Sequence, residues 1–500
     1  MFRVKGGMKR NVWIIVAVLL LAGCGRTATV TGLDIVPEPV FKLQKEGSFT
    51  LNHSVSVAVS GLGQNSPVVK HVLKSLRQAH FRPTLVGPSE ECDLVLMIND
   101  TANDEIGEEG YLLEIRSTGI RLSANTETGL FYAYQTLLQL APPDIISTRY
   151  RHIIFPECTI LDYPRFEWRA VHLDVCRNFF PVKFVKKYLD LMAAYKMNRF
   201  QWHLADIHAN RLPREDDSDE QCYTAEEIAE VTAYAADLGI TVVPEVEYSD
   251  SSCISADEII HSLTQLFPSP YIQIIGDDAS EEELHALADS LIAQGKTPLG
   301  WDNGIIVACP SDYCYLDCYQ ADPRYQPAAI GGLITLAKAY QFDPIPKGTN
   351  RYVADRIAGG RCELWTEYIT SPSDAEYMLL PRMLAISESL WSPRESKSWQ
   401  RFRKNVEDQK ERLTAKGYNY CDGSFTPHFH VTPVNENTVN VAIETEVPNT
   451  YIFYTTDLTL PTRQSAIYLG PVNLRRGTHI KILPVYNDTE RDSIYEFIIK

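Results

Sequence analysis

The chain has 500 residues, of which 45% are hydrophobic and 22% charged, the balance of an ordinary globular protein. This length predicts about two to four domains. The formal net charge of −17, with no basic run, argues against a nucleic-acid partner. An acidic surface suits a neutral, sugar-like ligand better than a polyphosphate.

The amino-terminal segment predicts export. Basic residues precede an apolar run at 13–23, which is too short to cross a membrane as a permanent helix. The run ends in Leu-Ala-Gly-Cys at 21–24, which resembles a bacterial lipoprotein signal. We therefore expect residues 1–24 to be a lipoprotein signal peptide, with a lipid on Cys24 that anchors the exported chain to a bacterial membrane, in the periplasm or at the cell surface. An ordinary cleaved signal peptide is the alternative.

The remaining cysteines are irregularly spaced. Cys314 and Cys318 are four residues apart, but no second Cys or His pair follows at zinc-finger spacing. They fall in a strand-like segment, so buried thiols are the favoured interpretation and no metal is expected. The alternative is that some of these cysteines form one or two disulfides, which are common in exported proteins.

Residues 30–165 predict an α+β domain. The segments 94–100 and 110–124 are typical of strands, and the second contains a turn at 117–119. The segment 128–140 has apolar residues at helical spacing and predicts a helix.

Residues 166–418 alternate between strand and helix patterns. Pro181 begins one predicted helix, and capping boxes at 224–227 and 280–283 begin two more. The strand-like runs are 168–175, 198–206, 240–248, 271–278, 297–303, 313–319 and 360–368. Nearly continuous apolar strands between helices predict a parallel sheet, and the count favours a (β/α)8-type (TIM) barrel.

The chain after Cys421 changes character. Alternating apolar and polar residues at 438–444, with further β-rich runs at 451–462 and 478–486, predict a small antiparallel β-sandwich over residues 425–500.

Polar and aromatic residues recur where the predicted barrel strands end, which is where barrel enzymes bind their ligands. Each residue alone has a structural alternative, because a Trp is usually core and an Asp at a strand end often caps the next helix. Their repetition is typical of a site that holds a sugar ring. These residues are Arg177, Asp206, Glu245, Glu247, Asp277, Asp278, Trp301, Asp302, Tyr315, Asp317, Trp365 and Glu367.

Several segments, in order, resemble glycoside hydrolase family 20, the β-N-acetylhexosaminidases. WRAVHLDVCRNFF, KMNRFQWHLAD and LLPRMLAISESLWSP are similar to its barrel, EEGYLLEI and TGLFYAYQTLLQL to its amino-terminal domain, and YIFYTTDLTLPT to a frequent carboxyl-terminal sandwich. The resemblance implies an exo-acting hydrolase that removes terminal β-linked GlcNAc or GalNAc. It also implies substrate-assisted retaining catalysis without a cofactor.

The resemblance also implies roles for particular residues. Asp277 matches the residue that orients the acetamido group of the sugar, and Asp278 matches the acid/base. The implied substrate-binding residues are Arg169, Trp301, Tyr315, Asp317, Trp365 and Glu367.

The sequence departs from the family at several of these places. The family pattern His-x-Gly-Gly-Asp-Glu becomes Gln-Ile-Ile-Gly-Asp-Asp at 273–278, so Asp278 is one methylene short. A misplacement of about 1 Å can lower a rate about 100-fold. The turns at 207–210 and 248–251 also differ from the family. The segment 301–315 is too short for one family strand, so we expect a barrel that is missing one βα unit. A glycan-binding lipoprotein of the same fold, without turnover, is therefore the second interpretation.

Overall fold

The computed structural model describes residues 26–87, 92–213, 221–248, 255–276, 279–299, 305–486, 489–490 and 494–500. The chain divides into two compact units. One comprises the chain up to Leu33 together with Phe41–Leu161, and the other comprises Asp34–Val40 together with Asp162–Lys500.

The described part of the first unit is a mixed sheet with two helices. Its elements are β1 (Arg26–Thr29), β2 (Phe41–Asn52), β3 (Ser54–Ser60), α1 (Pro67–Gln78), β4 (Arg82–Val86), β5 (Leu94–Ile98), β6 (Tyr111–Arg116), β7 (Gly119–Ala124), α2 (Glu127–Leu140) and β8 (Tyr150–Asp162). The strand order is β1-β8-β6-β7-β5-β3-β4, and β2 also pairs with β8. The predicted strand at 94–100, the strand pair at 110–124 and the helix at 128–140 are confirmed.

The second unit begins with alternating strands and helices. In chain order these are β9 (Trp168–Asp174), α3 (Val182–Ala194), β10 (Arg199–Ala205), α4 (Ala225–Asp237), β11 (Thr241–Tyr248), α5 (Ala256–Leu266), β12 (Tyr271–Gly276), α6 (Glu281–Ala293), β13 (Thr297–Leu299), β14 (Ile306–Ala308), α7 (Ser311–Cys314), α8 (Leu336–Tyr340), α9 (Arg351–Ala354), β15 (Ile357–Cys362), α10 (Pro372–Leu379), α11 (Arg382–Trp391) and α12 (Trp399–Ala415). Two short 3₁₀ turns lie at Pro323–Tyr325 and Arg394–Ser396.

Strands β9 to β15 form one parallel sheet in the order β13-β12-β11-β10-β9-β15-β14. The sheet is strongly curled, as the distance between two of its side chains shows: the ring centroids of Trp168 on β9 and Tyr271 on β12 are only 4.9 Å apart. Three steps between strands would span about 14 Å in a flat sheet. The inward side chains of Trp168, Ala170, Val243 and Leu299 form an apolar layer in this interior. The barrel-type α/β fold is confirmed as a curled sheet, with β13 and β14 at the edges of its described part.

Two predicted strands in the barrel region are wrong. The segment 313–319 contains the end of α7, an isolated bridge between Tyr315 and Glu363, and a turn. Pro310 directly precedes α7, and its fixed φ begins a helical turn where aromatic spacing predicted a strand. The segment 360–368 is a strand only as far as the end of β15.

The helix boundaries follow local signals. Thr224 with Glu227 and Ser280 with Glu283 form the predicted capping boxes of α4 and α6. A third box begins α5, which was not predicted. These caps fix where each helix begins, and therefore the length of the loop that precedes it.

The carboxyl-terminal part is the predicted antiparallel β-sandwich. Its strands are β16 (His428–Pro433), β17 (Thr438–Glu444), β18 (Tyr451–Thr455), β19 (Ala466–Ile467), β20 (Val472–Arg475), β21 (His479–Tyr486), β22 (Thr489–Glu490) and β23 (Tyr495–Ile498). One sheet has the order β16-β17-β20, and the other has β19-β18-β21-β22 with β23 beside β21. Val441 and Ile443 of the first sheet share a buried core with Ile452, Ile480 and Ile482 of the second.

Cys24 lies outside the described residues. None of the described helices combines the length and apolarity that crossing a membrane requires. The nine described cysteines are free thiols, and Cys314 is buried while Cys318 is half-buried.

Candidate active site

An open cleft of about 780 Å³ lies at the carboxyl ends of β9, β10 and β15. It is lined by Cys176, Arg177, His208, Ala209, Arg211, Gln221 and Glu367. In barrels of parallel strands this edge presents the loops that bind ligands.

Arg177 is the charged centre of the cleft. Its Nη1 lies 3.2 Å from Oδ2 of Asp174 and 3.4 Å from Oδ2 of Asp206. Its Nε lies 3.0 Å from Oε1 of Glu367, and its guanidinium carbon is 5.0 Å from the ring centroid of Trp365. Burial lowers the pKa of Arg177, but the carboxylates of Asp174, Glu367 and Asp206 outweigh that effect and raise the pKa overall. Arg177 is thus a charged guanidinium with a fixed orientation.

Asp174 joins the end of β9 to the loop that follows β15. Its Oδ1 accepts hydrogen bonds from the backbone N–H groups of Cys176 (2.8 Å) and Arg177 (3.3 Å). Its Oδ2 accepts from the backbone N–H (3.0 Å) and the hydroxyl (2.9 Å) of Thr366. These bonds hold Arg177 against the loop that carries Trp365 and Glu367.

A fully buried polar layer lies below the cleft, centred on Glu245 of β11. Oε1 of Glu245 accepts from Nε2 of His172 (3.1 Å) and Nδ1 of His203 (2.9 Å). Oε2 accepts from the side-chain amide of Gln201 and lies 3.9 Å from Nη1 of Arg361. Burial raises the pKa of Glu245, but His172 and His203 lower it far more, so the carboxylate stays ionised.

His203 connects this layer to the cleft, because its Nε2 lies 3.4 Å from Oδ2 of Asp206. Burial lowers the pKa of His203, but its contacts with Asp206, Cys176 and Glu245 raise it well above its usual range. Burial raises the pKa of Asp206, but His203 and two backbone N–H groups lower it overall.

Two groups of metal-ligand type occur in this region. One group is Asp174, Cys176, His203 and Asp206, and the other is His172, His203 and Glu245. Within each group the potential ligand atoms lie within 4.8 Å of one another. The carboxylates of both groups already accept hydrogen bonds from the histidines and from the backbone, and Arg177 supplies a positive charge to the first. We therefore interpret both groups as parts of one hydrogen-bonded network.

The structure does not bring Arg169 to the cleft, which corrects the prediction that it binds the sugar. Arg169 lies at the amino end of β9 and is fully buried. Its Nε donates to the carbonyl oxygen of Lys196 (2.7 Å) and its Nη1 to that of Phe166 (2.8 Å). Its guanidinium carbon is 4.9 Å from the ring centroid of Trp391. Arg177, beyond the other end of the same strand, occupies the place that was predicted for Arg169.

Trp365 and Glu367 both reach the cleft through their contacts with Arg177. They lie in the loop after β15, outside the part of the predicted 360–368 strand that the structure confirms. Nε1 of Trp365 donates to Oε2 of Glu363 (2.8 Å), and its ring centroid is 4.6 Å from that of His172. These contacts orient the loop without a strand ladder.

Tyr315 is half-buried and directly follows α7. It pairs with Glu363 through a parallel bridge, so it lies beside the chain that leads to Trp365. Burial, with the neighbouring carboxylate of Glu363, raises the pKa of Tyr315, so its hydroxyl stays protonated.

Asp317 is 3% exposed, and its Oδ1 has no hydrogen-bond partner among the described residues. Burial raises the pKa of Asp317 to about 6, against an ordinary 3.8. The lowering effect of Arg382 and the raising effect of Glu367 are smaller. Arg382 donates to the carbonyl oxygens on either side of Asp317, at Leu316 (2.6 Å) and Cys318 (3.0 Å), which fixes this turn.

Asp277, Asp278 and Trp301 lie outside the described residues. The segment before the pair is described, since β12 ends at Gly276. Nε2 of Gln273, which stands where the family has a histidine, donates to the carbonyl oxygen of Leu299 on β13 (3.3 Å).

Asp174 and His203 received no role from the sequence. Arg177 was predicted as one of the strand-end residues of a sugar site, and the barrel rule that places ligands at the carboxyl ends of strands favours it over Arg169. The link between His203 and Glu245 crosses two strands and has no signal in the linear sequence.

Family descriptions match three parts of the chain. "Glycosyl hydrolase family 20, catalytic domain" matches residues 166–250 and 294–394. "Glycosyl hydrolase family 20, domain 2" matches residues 32–163, and "Fn3 associated" matches residues 441–499. The catalytic-domain match is interrupted between residues 250 and 294, where β12 lies.

Curated relatives agree with these matches. A β-hexosaminidase of Porphyromonas gingivalis is 26% identical over 91% of this chain and 73% of its own length. A β-hexosaminidase of Vibrio furnissii is 26% identical over 71% of this chain and 76% of its own length.

Solved structures agree on the fold. The family 20 β-N-acetylhexosaminidase of Streptomyces coelicolor A3(2) superposes with a TM-score of 0.70 at 22% identity, covering 79% of this chain and 98% of its own. The Streptomyces plicatus N-acetyl-β-hexosaminidase in complex with Thio-NAglucal has a TM-score of 0.70 at 23% identity, covering 79% and 97%. The chain therefore belongs to glycosyl hydrolase family 20, as a distant member of its β-hexosaminidases.

Proposed function

We propose that this chain is an exo-acting β-N-acetylhexosaminidase that removes terminal β-linked GlcNAc or GalNAc from glycans. The observation that carries the proposal is Arg177, an oriented guanidinium in an open cleft with Trp365 and Glu367 beside it. Fixed polar groups beside an aromatic face are a common way to bind a small polar ligand. A Streptomyces plicatus β-hexosaminidase mutant and the Vibrio harveyi exo-β-N-acetylglucosaminidase were solved with GlcNAc, which supports this substrate class.

The binding groups have distinct tasks in the proposed complex. Arg177 donates to sugar hydroxyls, while Glu367 and Asp317 accept from them. Oδ1 of Asp317 is buried without a partner among the described residues, so a hydroxyl donor there would remove an unfavourable contact. Trp365 supplies an apolar face, and Tyr315 donates its hydroxyl proton to the acetamido oxygen.

The proposed chemistry is substrate-assisted and retaining. The acetamido oxygen of the sugar attacks the anomeric carbon, and the carboxyl group of Asp278 gives its proton to the departing glycosidic oxygen. Water then attacks the same carbon while Asp278 takes a proton back, so the configuration is retained. Asp277 orients the acetamido group, and Trp301 walls its pocket. These three roles rest on the family resemblance.

A glycan-binding protein of the same fold, without turnover, is the second candidate. The observation in its favour is that residues 251–293, which contain Asp277 and Asp278, fall in the interruption of the catalytic-domain match. Asp278 also replaces the longer glutamate of the family pattern.

One experiment separates the two candidates. The purified protein is incubated with chromogenic β-GlcNAc and β-GalNAc substrates, alongside the variant Asp278→Asn, and GlcNAc binding is measured by calorimetry. Release of the chromophore that falls in the variant supports the hydrolase. Binding without release supports the second candidate, and neither binding nor release contradicts both.

We further propose that a lipid on Cys24 anchors the protein to a bacterial membrane. The support is the Leu-Ala-Gly-Cys sequence that ends the apolar run. Metabolic labelling with an acyl analogue should mark the wild type but not Cys24→Ser, and equal labelling of both would contradict the anchor.

A further inference from the structure

His203 has an unusual environment for a buried histidine, because both ring nitrogens face carboxylates. Nδ1 lies 2.9 Å from Oε1 of Glu245, and Nε2 lies 3.4 Å from Oδ2 of Asp206. All three side chains are fully buried. A carboxylate can only accept, so both ring nitrogens must carry protons and the ring is an imidazolium.

Asp206 passes this contact on to the cleft. Its Oδ1 is occupied by the backbone N–H groups of His208 (2.7 Å) and Ala209 (3.1 Å). Its Oδ2 faces His203 on one side and Nη1 of Arg177 on the other, at 3.4 Å in both cases. The backbone therefore holds only Oδ1 of Asp206, while Oδ2, the oxygen that faces Arg177, is contacted from below by His203.

Glu245 does not depend on His203 in the same way. It keeps the hydrogen bonds from His172 and from Gln201, and Arg361 lies 3.9 Å away. The Nε2 proton that His203 presents to Asp206 is therefore the part of the network directed towards the cleft.

We propose that His203 is a positioning residue for sugar binding: its imidazolium holds Asp206, and Asp206 in turn fixes the guanidinium of Arg177. This inference rests on the proposed function, because it takes Arg177 as a sugar-binding group. A histidine that only filled the core would need one acceptor rather than two carboxylates. Buried charges are retained where they are paired. Here the pairs form a series from Glu245 to His203, from His203 to Asp206 and from Asp206 to Arg177, and each pair lies closer to the cleft than the one before.

Two substitutions of His203 separate its two contacts. In His203→Asn the amide can replace Nδ1 and reach Glu245, while in His203→Gln it can replace Nε2 and reach Asp206. Both variants lose the positive charge and one hydrogen bond, so a merely structural role predicts similar effects for both. The inference predicts that GlcNAc binds about tenfold more weakly to His203→Asn than to His203→Gln, as expected for the loss of a charged hydrogen bond. Equal affinities, or weaker binding by His203→Gln, would overturn it.

The control for the proposed function is Arg177→Met. If this variant binds GlcNAc as the wild type does, the sugar site itself is misassigned. If it loses binding while the two His203 variants remain equal, only the positioning role fails.

Two further measurements do not require the His203 variants to fold. Nitrogen NMR of the wild-type ring should show both nitrogens protonated at neutral pH, and a neutral ring would overturn the inference. Asp206→Asn can still accept the backbone N–H groups through its carbonyl oxygen, but its amide would face Arg177 and His203 with donors. We expect this variant to bind GlcNAc at least about tenfold more weakly than the wild type. Unchanged binding would contradict the proposal that Asp206 fixes the guanidinium of Arg177.

Discussion

Replacing Asp317 with Asn should make the protein more stable at high pH, relative to the wild type. Burial raises the pKa of Asp317 from 3.8 to about 6, and its Oδ1 has no hydrogen-bond partner among the described residues. The folded state therefore holds a proton that the unfolded chain has already released. Stability from this group is full below about pH 4 and is lost as the pH rises through about 6.

The size of the effect follows from the shift of about two units in the pKa. Each unit corresponds to about 1.4 kcal/mol, so ionised Asp317 lowers the free energy of unfolding by about 3 kcal/mol above pH 6. The residue is 3% exposed, so solvent does little to screen this effect. Asn has nearly the same shape and does not titrate.

Urea unfolding followed by tryptophan fluorescence measures this difference. Every tryptophan except Trp13 belongs to the second unit, so the fluorescence reports on the part of the chain that contains Asp317. The stability difference between Asp317→Asn and wild type should shift by up to about 3 kcal/mol in favour of Asn between about pH 4 and about pH 8. Parallel pH dependences of the two proteins would refute the reasoning, since Asp317 would then titrate normally in the folded state.

Three further predictions test other parts of the site. Arg169→Met should lower the free energy of unfolding by about 2 kcal/mol or more, because two carbonyl groups lose their donor, and it should leave the GlcNAc dissociation constant unchanged. Arg177→Met should raise that dissociation constant. The reverse pattern would restore Arg169 as the sugar-binding residue. Glu367→Gln should weaken GlcNAc binding with little change in melting temperature, because its side chain is 32% exposed and pairs with Arg177; a large melting shift with unchanged binding would mark it as structural. Asp278→Glu combined with Ile275→Gly should hydrolyse a chromogenic β-N-acetylhexosaminide faster than wild type, because both changes restore the family pattern and glutamate is one methylene longer than aspartate. A slower double variant would indicate a site reshaped around the short acid.

Most of the fold could be predicted because its signals are local. The capping boxes of α4 and α6 begin at the predicted residues, and the continuous apolar pattern of β9 reflects a strand whose residues are all buried. The β14 strand was missed because its three residues are too few to form a pattern. The segment around Tyr315 was misassigned because its aromatic spacing fits a strand, while Pro310 and the packing around it favour a short helix.

The site was only partly predictable because its geometry depends on which end of a strand a residue occupies. Arg169 and Arg177 flank the same strand, and a resemblance of the surrounding segment does not distinguish between them. The parallel pairing of β9 with β10 and β15 shows that the loops converge at the carboxyl end of β9, beyond which Arg177 lies. Trp365 and Glu367 both contact Arg177, and the loop that carries them is anchored on Asp174 rather than lying in the strand predicted over 360–368.

The proposed site has two parts that lie in different segments of the chain. The residues proposed to bind the sugar, Arg177, Trp365 and Glu367, follow β9 and β15 and lie within the matched catalytic-domain segments. The acid pair follows β12, in the interrupted segment. Gly276 at the end of β12 packs closely against α6, because an added Cβ would lie 2.5 Å from a methyl group of Leu284, whose side chain would have to move. Since the proposed acid pair lies in the interrupted segment and the proposed sugar-binding residues do not, we expect divergence in this segment to alter the acid rather than the groups that bind the sugar. For this reason GlcNAc binding and GlcNAc hydrolysis should be separable properties of this chain, and the binding should persist in Asp278→Asn.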